Sequence, residues 1–347
     1  MLILALESSC DETAASVVEN GRIVHSDVVC SQVDLHAKWG GVVPEIASRN
    51  HLIEVIPVVD EALARANVSW TDIDAIAVTQ GPGLVGALLV GLQVAKSLAM
   101  VHNKPLIPVH HLRGHLSAIA LHGVDESPGE VPPLPHLALV VSGGHTAIYR
   151  VDSYQDISML ANTQDDAVGE ALDKGAKLLG IAYPGGAQLE QFATQGDSTA
   201  FKFPRAFQGK EESDFSFSGL KTSLLYRLQK MSEEEIQDRY LDLCASYQEA
   251  AVDQLSKKCR NFLRKKPYRS FGLSGGVANN QVLRNRLQEV CKDQDINFYA
   301  AEKKYTGDNA AMIAFATFID RNGLWSNENG QLNFNPSLMI DSLPIPL

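Results

Sequence analysis

Leu2-Ile3-Leu4-Ala5-Leu6-Glu7-Ser8-Ser9-Cys10-Asp11-Glu12-Thr13 opens the chain, and its reading decides the fold. Five apolar residues stopped by an acid predict a first strand over Leu2–Leu6. With no basic region before it and no cleavage site after it, the run does not read as a signal peptide. Glu7–Thr13 is a polar turn, Ala14–Val18 a second strand, and Asn20-Gly21 a hairpin turn in which both positions tolerate positive φ. Arg22–Val29 follows as a third strand. Beyond Gly123–Pro135, a candidate linker rich in Pro, Gly and acids, the same succession returns. His136–Val141 reads as a strand, Ser142-Gly143-Gly144-His145-Thr146 as a turn, Ala147–Val151 as a strand, Asp152-Ser153 as a turn and Ile157–Leu160 as a strand. Recurrence at about half the chain length signals an internal duplication. It predicts two similar α/β lobes, each presenting a polar turn to a shared cleft.

The remaining elements fit that frame. Helical spacing marks Ile46–Ala66, with Ile53, Ile56, Val59 and Leu63 on one side, and Leu84–Val101, rich in Ala, Leu and Val as a helix covering a sheet should be. Between them lies the strand Ile73–Val78, ending at Gln80-Gly81-Pro82-Gly83. A glycine loop opening a helix suits an anion, but this one lacks the Lys and spacing of a P-loop and reads equally as a tight turn. Pro105–Val109 is a short strand and Leu112–Leu121 a helix. Later come helices at Asp165–Leu179, Leu241–Arg264, Gln281–Val290 and Ala310–Phe318, with strands at Tyr268–Leu273 and Ile296–Ala300.

The 347 residues suffice for about two domains, and 45% hydrophobic with 20% charged residues is ordinary for a globular protein with a sizeable core. No run approaches the roughly 20 apolar residues of a membrane span. The five cysteines are scattered, with no C-x-x-C, and fit reduced thiols in a cytoplasmic protein. A net charge of −11 argues against nucleic-acid binding by the surface as a whole. The dense basic cluster is Lys257, Lys258, Arg260, Arg264, Lys265, Lys266 and Arg269. It reads first as a solvated helix face with cations favoured at its C-terminus, and second as a phosphate-backbone contact.

His111 and His115 lie one helical turn apart, on one face, just after a strand. Two neutral imidazoles so held suit a transition metal, although such a pair also serves as an ordinary cap or packing element. A metal needs a third ligand. Asp308, in the loop before Ala310–Phe318, offers an oxygen, and its bland alternative is to cap that helix. The three join only if the duplicated lobes face one cleft. A metalloprotease of the zincin type would need H-E-x-x-H, with a Glu base inside the pair. Here Leu112-Arg113-Gly114 stands between the histidines, which argues against a zinc metalloprotease. A non-catalytic nucleotide-binding module of the same fold is the other alternative.

Taken together, Glu7–Thr13, Gly40-Gly41-Val42-Val43-Pro44-Glu45, Gln80-Gly81-Pro82-Gly83, His111-Leu112-Arg113-Gly114-His115, Val141–Thr146, Asp214-Phe215-Ser216-Phe217-Ser218-Gly219, Ser274-Gly275-Gly276-Val277-Ala278 and Gly307–Met312 resemble the TsaD family. The resemblance runs from the first strand to the last helix, and Gly40-Gly41-Val42-Val43-Pro44-Glu45 looks like the bacterial and mitochondrial branch. It implies an α/β, actin-like and Hsp70-like (ASKHA) duplicated two-lobe fold with a central cleft. The lobes would be 1–130, with a helical segment 308–335 packing back on it, and 136–307 with a helical insertion. It implies an acyltransferase of tRNA modification, moving the threonylcarbamoyl group of L-threonylcarbamoyladenylate to N6 of adenosine 37 in tRNAs reading ANN codons, with release of AMP. The metal ligands map to His111, His115 and Asp308, with one divalent iron or zinc per subunit. The segment binding the adenine-nucleotide substrate maps to Val140, Val141, Ser142, Gly143 and Gly144, with Asp173, Gly186, Glu190 and Asn280. The partners implied are tRNA, a TsaB paralogue and the ATPase TsaE, with no membrane. Since an exocyclic amine is a poor nucleophile, Asp11 or Glu12, placed in the first polar turn, is the candidate catalytic base.

Overall fold

The computed structural model of the chain describes residues 1–123, 131–207, 209, 214–319 and 333–340. Residues 124–130 of the candidate linker and 320–332 of the segment 308–335 lie outside those described. The chain divides into two compact units. The first comprises Met1–Pro132, Asp152–Ser158 and Ala301–Leu347, and the second Pro133–Val151 and Met159–Ala300.

In the first unit, strands β1 (Leu2–Glu7), β2 (Glu12–Glu19) and β3 (Ile23–Ser31) precede helices α1 (Val33–Ala37) and α2 (Pro44–Ala66). Then come β4 (Ala75–Gly81), α3 (Val85–Val101), β5 (Leu106–His110), α4 (His111–Ser117) and the short β6 (His122–Gly123). The other sheet uses β7 (His136–Val141), β8 (Thr146–Val151) and β9 (Ile157–Asn162). Helices α5 (Val168–Leu178), α6 (Gly186–Ala193), α7 (Ser218–Leu228), α8 (Glu233–Asp238) and α9 (Tyr240–Lys265) follow, then β10 (Ser270–Ser274), α10 (Gln281–Lys292) and β11 (Asn297–Ala300). The last described helix, α11 (Ala310–Ile319), belongs to the first unit.

The duplication is written in the strand order. One sheet runs β5-β4-β1-β2-β3-β6 and the other β11-β10-β7-β8-β9. In each, the first strand lies antiparallel to the second, β1 to β2 and β7 to β8. Each first strand is parallel to the one that follows the helices, β1 to β4 and β7 to β10. Leu6 sits opposite Ala15 on one side and Val78 on the other. Asn20 has positive φ, as its hairpin turn requires.

The unbroken apolar run of β1 exists because both faces of its sheet are covered. Ile3 and Ala5 pack with Ala311, Ile313 and Phe315 of α11, whereas Leu4 and Leu6 pack with Val55 and Val59 of α2 and with Leu92 and Ala95 of α3. Each such Leu or Ile contributes about 1.5–3 kcal/mol on burial. In the second unit, Leu137, Leu139 and Val141 of β7 share a core with Leu172 of α5, Tyr247 of α9 and Leu287 of α10.

Two local readings need correction. The helix expected over Leu112–Leu121 begins at His111 and ends at Ser117, continuing as a 3₁₀ turn over Ala118–Ala120. Its start is set by His110, whose side chain accepts the Leu112 N–H, so His110 is the capping histidine. The short helices α1 and α8 were not expected. For α8 a signal existed, because Ser232 and Glu235 form a capping box.

Candidate metal centre and polar turns

His111 opens α4 and His115 follows one turn later, so both rings project from one face of this short helix. The rings meet edge to face with centroids 4.7 Å apart. Asp308 comes from the loop before α11. One ligand atom from each of His111, His115 and Asp308 lies within 4.8 Å of the others. His115 Nε2 is 3.0 Å from Asp308 Oδ1, and His111 Nε2 is 3.6 Å from the same oxygen. All three residues belong to the first unit, so the group needs no facing lobes to form. Asp308 does not cap α11. Asn309 does, its Oδ1 accepting the Met312 N–H at 2.9 Å, which leaves the Asp308 carboxylate outside the helix.

Packing explains why α4 and α11 lie where they do. A Cβ on Gly114 would come within 2.9 Å of Ile313 Cδ1 and 3.0 Å of Met312 Cγ, so the glycine between the two histidines lets α11 approach α4 closely. From β3, the Asp27 carboxylate accepts the backbone N–H groups of Ala310 and Ala311 and a hydrogen bond from Ser16, tying the start of α11 to the sheet.

Behind His111 stand a carboxylate and a hydroxyl. Its Nδ1 lies 3.1 Å from Glu7 Oε2, with Ser9 Oγ 3.2 Å from the same nitrogen. Glu7 in turn accepts the Ser9 N–H at 2.6 Å and the Thr79 hydroxyl at 2.5 Å. Burial alone would raise the Glu7 pKa, but the charge and hydrogen bond of His111 hold it below the ordinary value. Burial likewise disfavours the His111 imidazolium, yet Asp308 and Glu7 outweigh it and raise its pKa to about 9. The donor set therefore fits a divalent metal: two imidazole nitrogens and one carboxylate converge, one imidazole is backed by a carboxylate, and a bound cation would take the place of the His111 proton.

The first polar turn adds acids to this neighbourhood. Burial, with Asp308 and Asp11 nearby, pushes Glu12 up to about 9, and its side chain is hydrogen-bonded to Asp11. Glu12 thus holds a proton at neutral pH in the metal-free protein.

The residues expected to bind substrate lie in the second unit. Val140 and Val141 are buried at the end of β7. In the turn that follows, the Ser142 N–H donates to the His145 carbonyl at 2.8 Å and the Ser142 hydroxyl accepts the His145 N–H at 3.0 Å. Gly143 and Gly144 stand exposed, with nothing within 4 Å of an added Cβ. Asp173 accepts the N–H groups of Gly185 and Gly186 at 2.9 and 2.8 Å, but burial still raises its pKa. Glu190 accepts the Gln281 N–H at 2.7 Å. Asn280 caps α10 through the Leu283 N–H and donates to Gln248 Oε1 at 2.8 Å, so both ends of its amide serve the fold. Gly275, at φ +92°, lies against β7, where a Cβ would sit 2.2 Å from the Val141 carbonyl oxygen.

Two other motifs turn inward. Phe215 and Phe217 are fully buried, while Ser216, Ser218 and the Phe217 N–H all donate to Asp165. In the basic cluster, Lys258 is buried and donates to the Phe207 carbonyl, and Lys257 pairs with Asp253. Arg264, Lys265, Lys266 and Arg269 remain exposed. Among the described residues, no helix is long and apolar enough to cross a membrane.

Sequence comparison now gives this geometry a context. The family model described as "TsaD: tRNA N6-adenosine threonylcarbamoyltransferase" matches residues 23–315. The chain belongs to the TsaD family. The tRNA N6-adenosine threonylcarbamoyltransferase of Anaeromyxobacter sp. (strain Fw109-5) is 51% identical over 317 residues, covering 91% of this chain and 93% of that protein. Its counterpart in Staphylococcus haemolyticus (strain JCSC1435) is 46% identical over 320 residues, covering 91% and 90%. Among solved structures, HypF of T. kodakarensis matches with a TM-score of 0.61 at 17% identity, over 93% of this chain and 48% of that one. Component A of the (R)-2-hydroxyglutaryl-CoA dehydratase of Acidaminococcus fermentans matches with a TM-score of 0.53 at 14% identity, over 92% and 97%. At such identities the likeness speaks to fold, and this TsaD chain has the duplicated actin-like α/β fold.

Proposed function

We propose that the chain transfers the threonylcarbamoyl group of L-threonylcarbamoyladenylate to N6 of adenosine 37 in tRNAs reading ANN codons, releasing AMP. The observation that carries this reading is the convergence of His111, His115 and Asp308 in a chain of the TsaD family. These three residues would hold one divalent cation per subunit, iron before zinc, since two histidines and one carboxylate with open positions suit Fe²⁺. When bound, the cation supplies a Lewis acid for the carbonyl, hydroxyl or carboxylate of the threonylcarbamoyl group.

The turn Ser142-Gly143-Gly144 exposes its two glycines, whose backbone N–H groups are offered to a phosphate and orient AMP as leaving group. Val140 and Val141 set the turn on the sheet, while Asp173, Gly186, Glu190 and Asn280 complete the nucleotide contacts, the last with Asn279, exposed beside it, as a neighbour to test. As N6 attacks the carbonyl carbon, an N–C bond forms, the C–O bond to the phosphate breaks, and one proton leaves the amine. Asp11 or Glu12, in the first polar turn, is the proposed acceptor of that proton.

The net charge of −11 favours work with partners, for which TsaB and TsaE are proposed, in the cytoplasm. Arg264, Lys265, Lys266 and Arg269 form the patch offered to tRNA. The test is nucleoside analysis of unmodified tRNA incubated with the chain, its partners, an enzyme making the adenylate, threonine, bicarbonate and ATP. The modified adenosine should appear, and its absence with all components active would refute the assignment.

A further inference from the structure

We propose that Glu7 is a positioning residue for the metal centre, fixing His111 in the tautomer and orientation that leave Nε2 free to ligate. The inference rests on the reading that His111, His115 and Asp308 hold a metal. Glu7 ends β1, and its side chain is wholly buried. An ionised carboxylate only accepts, so the hydrogen between His111 Nδ1 and Glu7 Oε2, 3.1 Å apart, resides on Nδ1. The lone pair of the neutral ring is then on Nε2, the atom 3.6 Å from Asp308 Oδ1.

Glu7 is itself held from two sides. The Ser9 N–H fixes Oε1 at 2.6 Å and the Thr79 hydroxyl on β4 fixes Oε2 at 2.5 Å. A purely structural acceptor at this place would not need a charge, and a buried charge without a partner is costly. The partner is His111, the ion pair described for Glu7. His115 differs: its buried Nδ1 has no hydrogen-bond partner among the described residues. One of the two imidazoles is thus oriented from behind, and Glu7 is the residue that does it.

The substitution Glu7→Gln separates charge from shape. The Ser9 N–H keeps the amide oxygen at the Oε1 position, which places the NH₂ group against Thr79 and His111. That group donates to Nδ1 and drives the ring proton to Nε2, toward Asp308. Zinc affinity, measured by chelator competition on the full chain, should weaken by about 10–100-fold while circular dichroism stays native. Long-range ¹H–¹⁵N spectra of histidine-labelled protein should place the His111 proton on Nδ1 in the zinc-loaded wild type, and on Nε2 in metal-free Glu7→Gln.

Thr79→Val, which removes a single hydrogen bond to Glu7, should weaken zinc binding several-fold and guards against a Glu7→Gln protein that fails to fold. Wild-type affinity in a folded Glu7→Gln protein overturns the inference. If that protein does not fold, wild-type affinity in Thr79→Val overturns it. A wild-type chain that binds no zinc or iron overturns the metal reading itself, and this inference with it.

Discussion

The turn between β1 and β2 and the turn between β7 and β8 occupy the same place in two sheets of the same order, yet they carry opposite chemistry. Glu7, Asp11 and Glu12 line the first with carboxylates: Glu7 and Asp11 are buried, Glu12 is raised in pKa, and Glu7 is hydrogen-bonded to a histidine. The second has Ser142, Gly143 and Gly144, with open space around two of its backbone positions. Duplication therefore preserved the strands that position a turn and left its residues free to diverge. One turn suits a cation and its second shell, the other a phosphate.

The comparison breaks most readily at the cation side. Asp308→Ala should abolish metal retention and lower tRNA modification by at least about 100-fold, because two histidines alone leave the site one ligand short. Metal content and nucleoside analysis measure this, and normal metal content would show that the carboxylate is dispensable.

Next in size are the glycines of the second unit. Gly275→Ala forces a side chain into φ +92° and onto the Val141 carbonyl, and should cost about 2–4 kcal/mol in urea unfolding. Gly143→Ala should leave stability within about 0.5 kcal/mol while weakening AMP binding. Equal midpoints for the two variants would show that Gly275 is not held against β7 as described.

The smallest effects are those of pH, and they should run in opposite directions. Glu12 is raised from 4.5 to about 9, so its favourable contribution is complete below 4.5 and is lost as pH rises toward 9. Metal-free Glu12→Gln should then melt higher than wild type at pH 8–9 by about 2–5 °C, the gap closing by pH 4.5. Asp165 is lowered: burial raises it, but the Ser216 and Ser218 hydroxyls and the backbone N–H groups of Phe217 and Ser218 together prevail. Its contribution is present above the ordinary 3.8 and is lost as pH falls through its lowered value. Asp165→Asn should melt lower than wild type at pH 7 and converge with it in acid. Parallel pH slopes for the two variants would remove the contrast.

Much of this was legible in the sequence. Short unbroken apolar runs separated by polar turns marked the duplicated strands, and the one-turn spacing of His111 and His115 marked their shared face. What the local pattern could not supply was pairing across distance. Nothing near Glu7 announces a histidine 104 residues later, so it read as the first residue of a polar turn. Asp308 and Asn309 are both good caps by type, and only the geometry shows that Asn309 is the one that accepts the Met312 N–H. The residue pattern alone joined Asp308 to the histidines only through a cleft between lobes, because the return of α11 to the first sheet is not written in local periodicity and was implied only by the family resemblance.

That return has a consequence for synthesis. His115 and Asp308 lie 193 positions apart, and most of the residues between them build the other unit. At about 5–20 residues per second, a ribosome takes roughly 10–40 s to travel from one to the other. Through that interval the nascent first sheet lacks α11, the layer that covers Ile3 and Ala5, and its histidines wait without their carboxylate. A chain cut short before residue 308 can neither close that sheet nor complete the ligand set, so metal retention reports that translation has run through the second unit.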